Sequence, residues 1–119
     1  MPDTTLTVDQ FTHNILAALD KHRYNPNQAA LHVRHLLRCN NYLVPQQHSV
    51  HRVVVEVLEL LARADTYIAD PKVACWLWED HVPNDSIVTW SEIRADRLRG
   101  EAQQTMRTYL ETLEPTETL

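Results

Sequence analysis

The stretch QQHSVHRVVVEVLELLARADT, residues 46–66, decides the fold of this chain. Its charged side chains form one stripe at helical spacing, in which Arg52 and Glu56, and then Glu59 and Arg63, are i,i+4 pairs of opposite charge. The run of valines favours a strand locally, but a long single polar stripe indicates a helix. The rest of the circumference is mostly apolar, which predicts packing on more than one side. We therefore predict a helix at about 46–66 that lies at the centre of the fold.

Four other segments carry the polar residues that begin helices. They are TVDQ at residues 7–10, NPNQ at 25–28, DP at 70–71 and TWSE at 89–92. The first polar side chain of each segment can accept a hydrogen bond from a backbone N–H of the first turn, and proline fits the first helical position. Apolar residues at helical spacing follow each signal. These signals predict helices at about 8–22, 26–39, 71–81 and 90–113.

The apolar face of the last predicted helix changes direction along its length. Trp90 and Ile93 point one way, whereas Leu98 and Met106 lie more than about 90° round the helix. Gly100, the single glycine of the chain, lies at the change. We expect the last helix to be bent near Gly100, or its two halves to pack on different surfaces.

The length and composition of the chain agree with a small helical domain. The chain has 119 residues, which suits one domain. A single glycine argues against a β-rich fold, because tight hairpins need glycine or asparagine at positive φ. We therefore predict an all-α, compact bundle of about five helices, with one domain at 1–113 and a frayed acidic tail at 114–119.

The terminal sequence and the charge bear on location and partners. No apolar run approaches the ~18 residues of a transmembrane helix, and the first residues lack the basic and apolar regions of a secretory signal. We expect a cytoplasmic protein without a membrane partner, in which Cys39 and Cys75 are reduced thiols. The net charge of −5 argues against nucleic acid as the default partner, although it allows a local basic patch.

The tryptophans are the most suggestive feature for function. Trp76 and Trp78 lie two residues apart on the predicted fourth helix, so they point about 200° from each other and one buried stripe cannot hold both. Either both rings lie in the core of a sandwiched helix, or one ring, Trp76 in preference, meets a partner. We predict a small, non-enzymatic interaction or regulatory module that binds a protein partner or a second copy of itself through Trp76, Trp78, Trp90 and Ile93.

A DNA-binding regulator is the alternative interpretation. The predicted first two helices are joined by a short turn, an arrangement that superficially resembles a helix-turn-helix. Asn27, Gln28, Arg34 and Arg38 lie on the outer side of the second helix, and these residue types contact bases or phosphates. The simpler explanation is a helical hairpin with a solvated basic face.

Metal binding is a third interpretation. His35 and Cys39 lie near the end of the second helix, and His48 and His51 lie near the start of the third. Imidazole and thiolate are good zinc ligands, and antiparallel neighbouring helices would bring these four residues together. The spacing matches no established zinc signature, so these side chains are better explained as polar residues that flank the core. The chain also lacks glycine-rich catalytic and phosphate-binding motifs, so we expect no enzyme activity and no cofactor.

Overall fold

The computed structural model describes residues 8–39, 49–79 and 81–112 of the chain. Those ranges contain no strand. They form α-helices and one short 3₁₀ helix, Asn84–Ser86, that leads into the last α-helix. The α-helices are α1 (Val8–Lys21), α2 (Pro26–Cys39), α3 (Ser49–Ala69), α4 (Pro71–Trp78) and α5 (Ile87–Glu111). The predicted all-α bundle of five helices is confirmed.

The two longest helices, α3 and α5, run antiparallel and form the frame of the molecule. At one end, the hydroxyls of Ser49 and Tyr109 lie 2.7 Å apart. At the other end, Tyr67 of α3 and Arg94 of α5 bind the same carboxylate, that of Glu79. α3 also packs against α2 and α4. Its predicted central position is therefore confirmed, and its wide apolar arc is explained by three neighbouring helices.

Two clusters of buried side chains lie along this frame. The first, here the bundle core, joins all the helices except α4. Its members are Phe11, Ile15, Ala18, Leu19, Ala29, Ala30, Val33, Val50, Val54, Val57, Leu61, Ala102 and Met106. The second, here the α4 core, joins only α3, α4 and α5. Its members are Ala64, Tyr67, Ala74, Cys75, Ile87, Ala95 and Leu98.

The two cores explain the split face of α5. Residues before Gly100, such as Leu98, belong to the α4 core, and residues after it, such as Met106, belong to the bundle core. The two halves of the helix therefore pack on different surfaces, as expected. The helix is continuous through Gly100, and the bend at that residue stays a prediction.

Polar contacts fix the turn between α1 and α2. The Asn25 side chain accepts a hydrogen bond from the backbone N–H of Gln28, as its place in the helix-start signal predicts. The Nε2 atom of His22 lies 3.2 Å from Nδ1 of His32, with the rings nearly perpendicular. Arg23 lies 3.7 Å from the carboxylate of Asp96 on α5. These contacts hold the hairpin against itself and against α5.

Three predicted helix ends are wrong. α3 continues to Ala69 instead of ending near 66, because Tyr67 is fully buried in the α4 core. α4 ends at Trp78 rather than near 81, because the backbone of Glu79 is extended while its side chain turns toward Tyr67 and Arg94. α5 begins at Ile87 rather than near 90, so Thr89 lies inside the helix and is not its cap.

Some expectations fall outside the described residues. The signal at 7–10 depends on Thr7, and the predicted start of the third helix at 46 precedes Ser49. The acidic tail at 114–119 also lies outside, so the division into a domain and a tail stays a prediction. Within the described ranges, none of the helices has the length and apolar character needed to cross a membrane.

Candidate protein-interaction surface

Helix α4 begins with a local signal and is apolar along nearly all its length. The Asp70 side chain accepts a hydrogen bond of 3.4 Å from the N–H of Val73, and Pro71 occupies the first helical position. The helix reads PKVACWLW, in which Lys72 is the only charged residue. Only its two small apolar residues, Ala74 and Cys75, are buried. Most of the large apolar side chains of α4 therefore face away from the core.

Three of those side chains form one outer stripe, which we call the α4 stripe. Val73, Trp76 and Leu77 have the i, i+3, i+4 spacing that places residues on one helix face, and all three are exposed. Trp76 is 81% exposed. Of the two arrangements expected for this tryptophan pair, the structure has the one in which Trp76 lies at the surface.

Trp78 lies on the inner side of α4 and packs against two neighbours. The ring centroid of Trp78 is 5.5 Å from that of Tyr67. The guanidinium carbon of Arg63 lies 5.0 Å from the same Trp78 centroid. Trp78 nevertheless remains 37% exposed. A cation over an aromatic face is stabilising, so Arg63 and Tyr67 fix Trp78 at the edge of the surface. Trp76 is more than twice as exposed as Trp78.

A mostly buried carboxylate fixes the end of α4. Oε1 of Glu79 accepts hydrogen bonds from the Tyr67 hydroxyl at 2.7 Å and from Nε of Arg94 at 2.9 Å. Trp90 donates a further hydrogen bond to the Glu79 side chain. The Glu79 side chain is only 14% exposed. One carboxylate thus joins α3, the end of α4 and the first turns of α5.

The electrostatics of Glu79 follow from these contacts. Burial alone would raise the pKa of the Glu79 carboxyl, but the hydrogen bonds from Tyr67 and Trp90 and the charge of Arg94 outweigh it and lower the pKa. Burial, and then the hydrogen bond to Glu79, raise the pKa of the Tyr67 phenol. At neutral pH the cluster therefore contains a charged carboxylate, a neutral phenol and a guanidinium.

Three of the four predicted partner-binding residues, the tryptophans, lie around Glu79. Trp78 and Trp90 are linked through Tyr67 and Glu79. Trp76 borders a groove of about 320 Å³ that Glu79, Val82 and Ile87 also line. Ile93 follows Trp90 by one turn of α5 and lines a different groove.

Ile93 belongs to a second groove, of about 620 Å³, at the turn between α1 and α2. Tyr24 and Ile68 supply further apolar walls, and Arg23 and Asp96 lie at its edge. Neither Tyr24 nor Ile68 was among the predicted residues, because their proximity to Ile93 depends on how the helices pack. Val73 and Leu77 were also missed, although the apolar composition of α4 could have indicated them.

The residues of the two alternative interpretations are placed as follows. Asn27, Gln28, Arg34 and Arg38 are all exposed on α2. Of the predicted metal ligands, His35 is exposed and His51 is half-buried, whereas His48 and the side chain of Cys39 lie outside the described part of the structure. Among the residues that are described, no three His, Cys, Asp or Glu side chains are grouped so that they could hold a metal ion.

Comparison with known protein families, with curated proteins and with solved structures found no match to this chain.

Proposed function

We propose that this protein is a non-enzymatic interaction module that binds another protein, or a second copy of itself, through the α4 stripe. The single observation that carries the proposal is the 81% exposure of Trp76 on a helix whose buried residues are only alanine and cysteine. Exposed tryptophan is costly to leave in water and is enriched among residues that dominate binding energies.

The surroundings of the α4 stripe support a binding role. Glu79, Tyr67 and Arg94 anchor the end of α4, so the stripe is presented on a fixed support rather than on a loop. A pre-organised surface loses less conformational entropy when a partner docks. Trp78 and Trp90, both partly exposed, border this support and extend the aromatic area that a partner could cover.

Charged side chains at the edge of the stripe would set the orientation of the partner. Lys72 precedes Val73 on α4 and is exposed. Asp85, also exposed, follows Asn84, which lines the groove beside Trp76. Such rim charges contribute to association rate and to selectivity more than to affinity.

The test compares a variant that lacks the large side chains of the stripe with a variant that is changed elsewhere on the surface. Trp76→Ala/Leu77→Ala should abolish concentration-dependent association in sedimentation velocity, or abolish capture of a defined partner. Val55→Ala shortens an exposed apolar side chain on α3 and should leave association and capture unchanged. A photo-crosslinking residue placed at 76 in the native host should then give a product that the same residue at 55 does not give. A monomer at every concentration, together with identical crosslinks from positions 76 and 55, would overturn the proposal.

A further inference from the structure

The charges of this chain are separated along the sequence. From Lys21 to Val55 there is no acidic residue, and all 16 acidic side chains lie outside this segment. The segment still carries five of the 11 basic side chains. They are Lys21, Arg23, Arg34, Arg38 and Arg52. The whole chain has a net charge of −5, but this segment contains only basic charged residues.

The structure places two of these five basic side chains, Arg34 and Arg38, on one exposed helix face. The outer side of α2, here the α2 face, consists of six exposed residues: Asn27, Gln28, Leu31, Arg34, His35 and Arg38. They recur at the three- and four-residue spacing of one helix side. The helix has 14 residues and no acidic side chain, so its length is about 21 Å.

The flanks of the α2 face carry charges of both signs. Tyr24, at the start of α2, is 82% exposed, and the guanidinium carbon of Arg23 lies 5.4 Å from its ring centroid. Glu56, the first acidic residue after the segment, lines a groove between α3 and α5 together with Glu101. This groove contains no residue of α2, whereas another acidic residue of α5, Asp96, lies 3.7 Å from Arg23.

We propose that the α2 face binds duplex DNA, with Arg34 and Arg38 on backbone phosphates and Asn27 and Gln28 directed at base edges. Guanidinium groups bind phosphate oxygens, and side-chain amides can pair with adenine in the major groove. That groove, about 12 Å wide in B-form DNA, admits one helix, whereas the major groove of duplex RNA is too narrow for side chains to read. The face holds one large apolar residue, Leu31, which is too little to insert into a membrane.

This surface is independent of the proposed protein-binding function. The α2 face belongs to α2, and the α4 stripe belongs to α4, which has no residue in the bundle core. Because the rest of the molecule is acidic, binding would be confined to this face and would weaken as salt rises. Each phosphate contact contributes about 0.9 to the slope of log affinity against log salt.

The test is fluorescence anisotropy of a labelled duplex of about 20 base pairs at several salt concentrations between about 20 and 200 mM. Arg34→Ala/Arg38→Ala should weaken binding about tenfold at low salt and reduce the salt slope by about 2. The control is Lys72→Ala/Arg107→Ala, which removes the same net charge from exposed positions on α4 and α5. It should retain the affinity, as should Trp76→Ala.

Two further measurements separate the outcomes. Arg34→Lys/Arg38→Lys keeps the charge and should restore most of the affinity, and circular dichroism checks that each variant is folded. Absence of binding by the wild-type chain at low salt would overturn the proposal. So would an equal loss in both alanine double variants, or binding to anionic vesicles or poly-glutamate without binding to the duplex.

Discussion

The hydroxyl of Tyr67 donates a 2.7 Å hydrogen bond to the carboxylate of Glu79, which also accepts one from Nε of Arg94. Tyr67 is fully buried, whereas Glu79 immediately follows the last residue of α4. This contact ends α4 and directs the following chain toward α5. The position of the α4 stripe therefore depends on one polar cluster, whose removal has measurable effects.

Removal of the Glu79 charge should destabilise the fold. Glu79→Gln leaves the half-buried Arg94 without its ion pair, and we expect the free energy of unfolding to fall by about 1–3 kcal/mol. Urea unfolding followed by circular dichroism measures this change. Glu92→Gln is the control, because Glu92 is exposed and should change the stability by less than about 0.5 kcal/mol. Equal losses in the two variants would show that the cluster contributes nothing.

The same carboxylate should make the fold sensitive to acid. The folded-state pKa of Glu79 is lowered from 4.5, so the unfolded chain takes up this proton at a higher pH than the folded chain does. The stabilisation is therefore complete above 4.5 and is lost as the pH falls through the lower folded value. The stability difference between wild type and Glu79→Gln, measured from about pH 7 to 3, should shrink at the acid end. A difference that stays constant over this range would contradict the assignment.

The two tryptophans of α4 should differ in their effect on stability. Trp76→Ala changes a residue that is 81% exposed, and the free energy of unfolding should change by less than about 0.5 kcal/mol. Trp78→Ala removes the contacts with Tyr67 and Arg63 and should cost about 1–2 kcal/mol. Thermal and urea unfolding of the two variants test this difference. A larger loss for Trp76→Ala would mean that its ring is packed.

Gly100→Ala should stabilise the protein. A Cβ atom at this position would meet nothing within 4 Å, and the residue is inside a continuous helix. Alanine is a better helix former than glycine, so the free energy of unfolding should rise by about 0.5–1 kcal/mol. The midpoint of urea unfolding measures the change. A loss of stability instead would indicate that α5 needs the bend expected from the sequence.

The His22–His32 pair should weaken the fold below neutral pH. Burial, and then the charges of His22, Lys21 and His35, lower the pKa of His32 from 6.5. The unfolded chain therefore binds this proton first, and stability present above 6.5 is lost as the pH falls toward the folded value. His32→Gln should remove this part of the pH dependence of thermal unfolding. His81→Gln, at an exposed position on the chain after α4, should not.

Local signals predicted the fold well, and long-range burial accounts for the errors. The bounds of α2 are confirmed, because Asn25 and Pro26 define its start within four residues of chain. The predicted start of α5 is wrong. The pattern at Thr89 is local, whereas Ile87 is buried in the α4 core and already belongs to the helix.

The candidate surface was only partly predictable, for the same reason. Spacing on a helix wheel indicated that Trp76 and Trp78 point apart. It could not place Ile93 beside Tyr24, since that groove exists only after α5 packs near the α1–α2 turn. The contacts of Glu79 span 12 residues to Tyr67 and 15 to Arg94, and no periodicity reports them. The basic segment, in contrast, is visible in the sequence once charges are counted by segment.

The α4 core draws every member from one continuous stretch of chain, between Ala64 and Leu98, with none from α1 or α2. Because none of its members lies on α1 or α2, this core is a candidate for a separate cooperative opening unit. In native-state hydrogen exchange, we expect backbone amides of α4 and the first half of α5 to exchange together. Their opening free energy should be lower than that of the amides beside Val54 and Leu61. The end of the protein that carries the α4 stripe would then be able to loosen while α1, α2 and the α2 face stay folded.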